Sequence, residues 1–195
     1  MRKALLIVDV QNDFCPGGAL AVPNGNQVIE PANKVARYAD ESRWPIFFSC
    51  DQHPRNSKHF AEFGGQWPVH CIRGTEGAKF HPDLLIPKGA FVISKGLDPK
   101  EDGYSPFEGK RNGILLSDFL LTDLGVTDLY VAGLATDYCV KAACLDAIKY
   151  RLRVYLLTDA CRAVNVKPGD DIRALSEMAN AGVEFITTDE VIRGE

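Results

Sequence analysis

Six short stretches of the chain, residues 4–8, 46–48, 90–93, 129–132, 154–157 and 183–186, are apolar without the strict alternation of a half-exposed strand. Such runs suit strands buried on both faces, as in a parallel sheet with helices on either side. Between them a helical period runs over residues 27–42, 114–124, 137–150 and 170–181, each stretch closing on polar residues or glycine. This alternation predicts a single α/β domain over residues 1–195, a three-layer sandwich whose mostly parallel central sheet is covered by helices on both faces. Sites in such sheets form beyond the carboxyl ends of the strands. The irregular stretch from 51 to 88 is far longer than an ordinary connection, which predicts a functional loop, and its Trp, His and Phe content argues against disorder.

Composition adds exclusions. With 195 residues and a formal net charge of −4, the chain is large enough for a real core. It carries no Lys/Arg cluster, so neither nucleic acid nor an anionic membrane is an expected partner, while a small neutral ligand stays open. The N-terminal segment is basic and then apolar, but Asp9 ends the apolar run too early for a secretory segment, and no other run approaches a membrane span. Six cysteines, at 15, 50, 71, 139, 144 and 161, are scattered through a chain of a size that folds without staples. A reduced, cytoplasmic protein is expected. No surface stripe decides between a monomer and a homo-oligomer.

The candidate chemistry lies at the ends of the predicted strands. In Val131-Ala-Gly-Leu-Ala-Thr-Asp-Tyr-Cys139-Val an apolar run breaks at small residues, and a cysteine follows where a helix should begin. Helix N-terminal amides and the helix dipole favour a thiolate there, and the same amides suit an oxyanion; a buried structural cysteine is the ordinary alternative. Asp9 directly follows the first strand and Lys95 the third. Alone, the first would be a turn cap and the second a solvated lysine. Together with Cys139 on a third strand they supply the proton acceptor, the positive charge and the nucleophile that acyl transfer through a thioester requires. Asp51 and His53 follow the strand ending at Cys50, and the next loop adds His59 and His70, so that three of the four histidines accompany a carboxylate. That inventory suits one divalent first-row metal ion, iron, manganese and zinc being compatible with it, against polar loop histidines that cap turns. Cys50 and Cys71 adjoin these residues, but Cys50 is expected to point away from Asp51, and neither belongs to a C-x-x-C pair. Phe14 and Trp67 are placed to wall a pocket for a flat ring, core packing being the alternative. The turn-rich segment 98–109, which contains Tyr104, is expected to cover the site.

These residues resemble the nicotinamidase/pyrazinamidase branch of the isochorismatase-like cysteine hydrolases over nearly the whole chain. The resemblance is carried by Leu6-Ile-Val-Asp9-Val-Gln-Asn-Asp-Phe14 with Gly17-Gly18, Asp51-x-His53-Pro, Trp67-Pro-x-His70-Cys71, Lys95-Gly96, Tyr104-Ser-x-Phe107 and Gly133-Leu-Ala-Thr-Asp-Tyr-Cys139-Val. It implies catalytic Asp9, Lys95 and Cys139, and a divalent metal on Asp51, His53 and His70. His59 joins them as a fourth ligand: many relatives carry His-x-Ser-Phe where this chain has Ser57-Lys-His59-Phe60, while others keep a histidine immediately before the phenylalanine. Gln52 stands where an aromatic residue is common. The resemblance further implies a cis peptide at Leu134-Ala135, an oxyanion hole from the amides of Ala135 and Cys139, and substrate contacts from Phe14, Trp67 and Tyr104. The implied activity is hydrolysis of nicotinamide to nicotinate and ammonia, with pyrazinamide as a surrogate and NAD salvage as the usual family role. Related carbamoyl-amide or isochorismatase-type hydrolases, which generally lack the metal ligands, and a silent thiol sensor built on Cys139 are the alternatives.

Overall fold

The computed structural model describes residues 1–194. Eight strands form one sheet, β1 (Lys3–Val8), β2 (Ile46–Asp51), β3 (Phe91–Lys95), β4 (Lys110–Arg111), β5 (Ile114–Leu115), β6 (Asp128–Leu134), β7 (Arg153–Arg162) and β8 (Glu184–Ile186), in the order β5-β4-β3-β2-β1-β6-β7-β8. The pairings from β3 across to β8 are parallel, and only β3–β4 and β4–β5 are antiparallel. The helices α1 (Ile29–Glu41), α2 (Lys141–Lys149), α3 (Asp170–Ala181) and α4 (Thr188–Arg193) cover the sheet, α1 packing with α4 and α2 with α3.

The unalternated strands are explained by burial on both faces. In β1, Leu5 and Ile7 enter one core with Ala32, Val35, Ala36 and Val191, while Ala4, Leu6 and Val8 enter the other with Val140, Ala143, Ala147 and Met178. Successive residues point to opposite faces, so a strand covered twice must be apolar throughout. The faces exchange along β7, where two steps on β6 (Val131 to Gly133) correspond to five on β7 (Leu156 to Cys161). The odd number of extra residues turns Ala160 into the first core and Cys161 into the second. Gly133 is required beside this irregularity, because its φ is +117° and a Cβ would overlap the backbone of Val8.

Two predicted elements differ. Residues 114–124 do not form one helix: Ile114 and Leu115 return antiparallel to β4, and a π-type turn occupies Asp118–Asp123. Leu116 and Leu120 still bury in the second core, so the helical spacing survives over one turn only. The helix expected from 137 becomes a π-type turn over Thr136–Val140 that leads into α2. The sheet order reverses between β1 and β6, both of which begin crossovers to opposite sides, and the crevice beyond their carboxyl ends is where a ligand site is expected.

Candidate active site

Four strand ends converge on that crevice. Asp9 follows β1 in the left-handed region, φ +50°. Asp51 ends β2 and Lys95 ends β3, directly paired in register. Cys139 lies in the π-type turn after β6, beyond the cis Leu134-Ala135 peptide, as the family resemblance implies. The Lys95 ammonium joins all three: Nζ stands 2.8 Å from Asp9 Oδ2 and donates to Asp51 Oδ1 at 2.6 Å and to Cys139 Sγ at 3.3 Å. It also donates to the Gly103 carbonyl at 2.9 Å. Side chains that were separate candidates in the sequence thus form one buried cluster.

The two carboxylates have different characters. Burial would raise the Asp51 carboxyl, but Lys95 and then His53 outweigh it and hold its pKa well below the ordinary value. Burial dominates at Asp9 and, with Asp51 adding to it against Lys95, raises the pKa to about 6. One ammonium between two carboxylates neutralises one of them, leaving Asp9 as the group with a growing appetite for a proton. Lys95 stays charged: burial opposes its charge, but Asp51, Asp9 and Cys139 raise its pKa well above the ordinary value. Burial pushes the Cys139 thiol well above its usual range, with Lys95 opposing and Asp9 reinforcing the shift. The resting group is therefore a thiol beside a base, rather than the standing thiolate that a helix N-terminus alone suggests.

His53, His59 and His70 stand beside this cluster, each offering a ring nitrogen within 4.8 Å of the others. His59 is thus brought into the group despite its shifted position in the loop. His70 Nδ1 pairs with the Pro68 carbonyl at 2.7 Å and His59 Nδ1 with Asp102 Oδ1 at 2.9 Å. Both interactions leave an Nε2 free for a ligand. His53 is wholly buried, and neither of its ring nitrogens has a hydrogen-bond partner. A buried imidazole without partners is costly unless something else occupies its lone pair. Asp51 Oδ2 lies 3.6 Å from His53 Nε2. Burial lowers the His59 pKa and takes that of His70 to about 4, so both are neutral donors. One carboxylate and three imidazoles fit a divalent metal ion. Asp9, Asp51 and Cys139 also lie within 4.8 Å of one another, but there the Lys95 ammonium already supplies the cation.

Cys139 borders a cleft with about 360 Å³ of empty space, part of it open to solvent, walled by Phe14, Trp67, Leu134 and Tyr138 and edged by Asp51, His59 and His70. Phe14 and Trp67 are where the sequence predicted them. Tyr104 also lines the cavity, and its hydroxyl accepts from Trp67 Nε1 at 2.9 Å. The segment 98–109 therefore reaches the site. The thiols of Cys50 and Cys71 are engaged elsewhere. Cys71 donates to the Gly77 carbonyl, and Cys50 faces Ile93 and Ser94, its pKa raised to about 11 chiefly by burial. All six cysteines are free.

Several supporting residues escaped the sequence reading. Ser49 donates to Asp9 Oδ1 at 2.7 Å. Gln11 binds both backbone groups of Asp51, accepting from its N–H at 2.8 Å and donating to its carbonyl at 2.9 Å. Asp13 accepts from the Cys71 N–H at 2.7 Å and so fixes the loop carrying His70. For Ser49 and Gln11 the signal was present, each being a polar residue in or just beyond a strand buried on both faces, where an unpaired group is not tolerated; Asp13, half-buried in the turn after β1, carried none. Tyr138, whose ring meets Trp67 edge-on at 4.7 Å, carried no signal beyond its place before Cys139.

Comparison with known proteins agrees with this geometry. The nicotinamidase of Escherichia coli (strain K12) is 41% identical over 202 residues, covering 95% of this chain and 94% of its own. The crystal structure of the pyrazinamidase of Pyrococcus horikoshii in complex with zinc superposes with a TM-score of 0.87 at 41% identity, covering 96% of this chain and 99% of that one. A protein of L. infantum solved in complex with nicotinate gives a TM-score of 0.85 at 32% identity, with 96% and 93% covered. A model of the isochorismatase domain matches residues 3–190. From its sheet order to its strand-end cluster, the chain belongs to the isochorismatase family.

Proposed function

We propose that this protein is a nicotinamidase, hydrolysing nicotinamide to nicotinate and ammonia, and pyrazinamide likewise, through a thioester on Cys139. One observation carries the reading: a single buried ammonium, Lys95, joins Asp9, Asp51 and Cys139, and Cys139 in turn borders an apolar cavity edged by His59 and His70. In the mechanism, Asp9 takes the thiol proton as Sγ attacks the amide carbon, and Lys95 balances the negative charge passing from Asp9 to sulfur. The tetrahedral oxyanion is held by the backbone N–H groups of Ala135 and Cys139. Collapse breaks the C–N bond while Asp9 returns the proton to the departing nitrogen as ammonia. Water then attacks the thioester, giving up a proton to Asp9, and the acid leaves as the thiol is restored. Phe14 and Trp67 hold the ring, with Tyr104 keeping Trp67 in place.

A divalent metal held by Asp51, His53, His59 and His70 would bind the pyridine ring nitrogen and orient the ring. Zinc, the metal in the Pyrococcus horikoshii structure, suits the donor set, as iron and manganese do. Asp51 would then serve both halves of the site, Oδ1 facing Lys95 and Oδ2 facing His53. We assign the activity to NAD salvage in the cytoplasm, a reading that fits a nucleophilic thiol among six free cysteines.

The test is ammonia release from nicotinamide by purified protein with zinc, iron or manganese, with Cys139→Ala as control. The variant should lose at least about 10³-fold in kcat and remain folded, and chelation should suppress turnover by the wild type. Retained turnover in Cys139→Ala would overturn the nucleophile, and a wild type inactive with every metal would redirect the search to another amide.

A further inference from the structure

The segment after β3 closes on itself. Gly96 and Gly103 have φ of +65° and +69°, and a Cβ on Gly103 would overlap the Gly96 Cα. A Cβ on Gly96 would in turn run into the His53 ring. This neck places three consecutive residues on three parts of the site. The Gly103 carbonyl accepts from Lys95, Tyr104 accepts from Trp67, and Asp102 meets His59. The third contact joins unlike partners: the His59 side chain is 4% exposed and that of Asp102 is 61% exposed. A solvated carboxylate thus reaches down to a buried ring.

We propose that Asp102 is a positioning residue for the metal site: by accepting the Nδ1 proton of His59 it selects the tautomer whose lone pair is on Nε2, and it fixes the ring plane. The geometry resembles the carboxylate–histidine pairs that support ligands elsewhere, in which the carboxylate also makes the imidazole a stronger donor. His70 receives the same service from a backbone carbonyl, which no side-chain substitution can remove. His59 alone of the three depends on a side chain from another segment. Its own loop packs the ring, which stacks on His53 at 4.7 Å, but gives its nitrogens no hydrogen bond, because Ser57 accepts from the backbone N–H at 3.2 Å instead. The inference rests on the metal-site reading above.

The experiment measures Zn²⁺ affinity by competition with a chelator for the wild type, Asp102→Ala, Asp102→Asn and the neighbouring exposed Glu101→Ala. Asp102→Ala should bind about 10- to 100-fold more weakly. Asp102→Asn, whose carboxamide oxygen still accepts, should lose less, and Glu101→Ala, which removes the same charge without the contact, should match the wild type. Long-range ¹H–¹⁵N spectra of metal-free protein give a second readout that a merely structural role would not move. They should show His59 protonated on Nδ1 in the wild type and as a mixture of tautomers in Asp102→Ala. Zinc affinity of Asp102→Ala within twofold of the wild type, or a wild-type His59 protonated on Nε2, would overturn the proposal. A wild type that binds no stoichiometric zinc would overturn the metal site itself, which is a separate failure.

Discussion

At the scale of the residue, the decisive feature is that Asp9 and Asp51 share one lysine on unequal terms. Asp9 must be a carboxylate to take the Cys139 proton, and its pKa is raised to about 6, chiefly by burial. The sign follows: kcat/KM should hold above that value and fall as pH drops through about 6, where an ordinary carboxylate would sustain activity about two units lower. Ser49 donates to Asp9 Oδ1 and favours the charged form. Ser49→Ala should therefore move the acid limb to higher pH, while leaving the plateau rate within about tenfold because general-base geometry is retained. The pH–rate profiles of both proteins check this; an acid limb near pH 4 in the wild type, or no displacement in the variant, would show that Asp9 is not the titrating base. Single residues were the most legible level of this molecule. Asp9, Lys95 and Cys139 announced themselves because a charged or reactive side chain abutting an unbroken apolar run has few structural reasons to be there. Asp102 did not, because an acidic residue in a glycine-containing turn is an ordinary solvated one until the fold brings His59 to it.

At the scale of the element, apolar runs marked all six parallel strands, and for β1, β2 and β6 the physical reason is burial on both faces, which requires a continuous apolar run, whereas β3 and the three-residue β8 are partly exposed. The short pair β4–β5 was not legible. Two-residue strands carry no periodicity, and Lys110-Arg111 is polar because the pair lies at the sheet edge. The expected helix over 114–124 failed for the same reason, its first two apolar residues being used as strand. Helix α4 was overlooked although its start was written in Thr187-x-x-Glu190. There the Thr187 Oγ1 accepts from the Glu190 N–H and the Glu190 carboxylate accepts from the Thr187 N–H at 2.7 Å. Thr187→Ala should cost about 1 kcal/mol of stability, read as a lower urea midpoint at unchanged m. Turnover should be untouched, because α4 follows β8, three strands from β1 in the sheet. A loss of activity without a loss of stability would mean that the capping box reaches the site by a route absent from these contacts.

At the scale of the whole molecule, the site joins two parts of different rigidity. Asp9, Asp51 and Lys95 lie at the ends of parallel strands held on both sides by core, and Cys139 follows the central β6. His59, Trp67 and His70 lie in the long segment after β2, whose regular structure is a single turn at Ala61–Phe63 and isolated bridges such as His53 to Ile72 and Phe60 to Trp67. That segment is held by side-chain anchors from β1's following loop, Gln11 and Asp13, and by the convergence of its histidines. A metal ion bridging Asp51 to those histidines would therefore tie the segment to the sheet. Its removal should act locally, since the core loses nothing. Hydrogen exchange with and without a chelator should show protection lost over residues 53–72 and kept in β1, β2 and β6. Exchange that rises equally throughout the sheet would mean that the ion supports the core instead. Exchange that is unchanged in 53–72 would mean that the protein's own anchors, Asp13 on Cys71, Asp102 on His59 and Tyr104 on Trp67, suffice to hold the loop, leaving the ion with only the substrate to position.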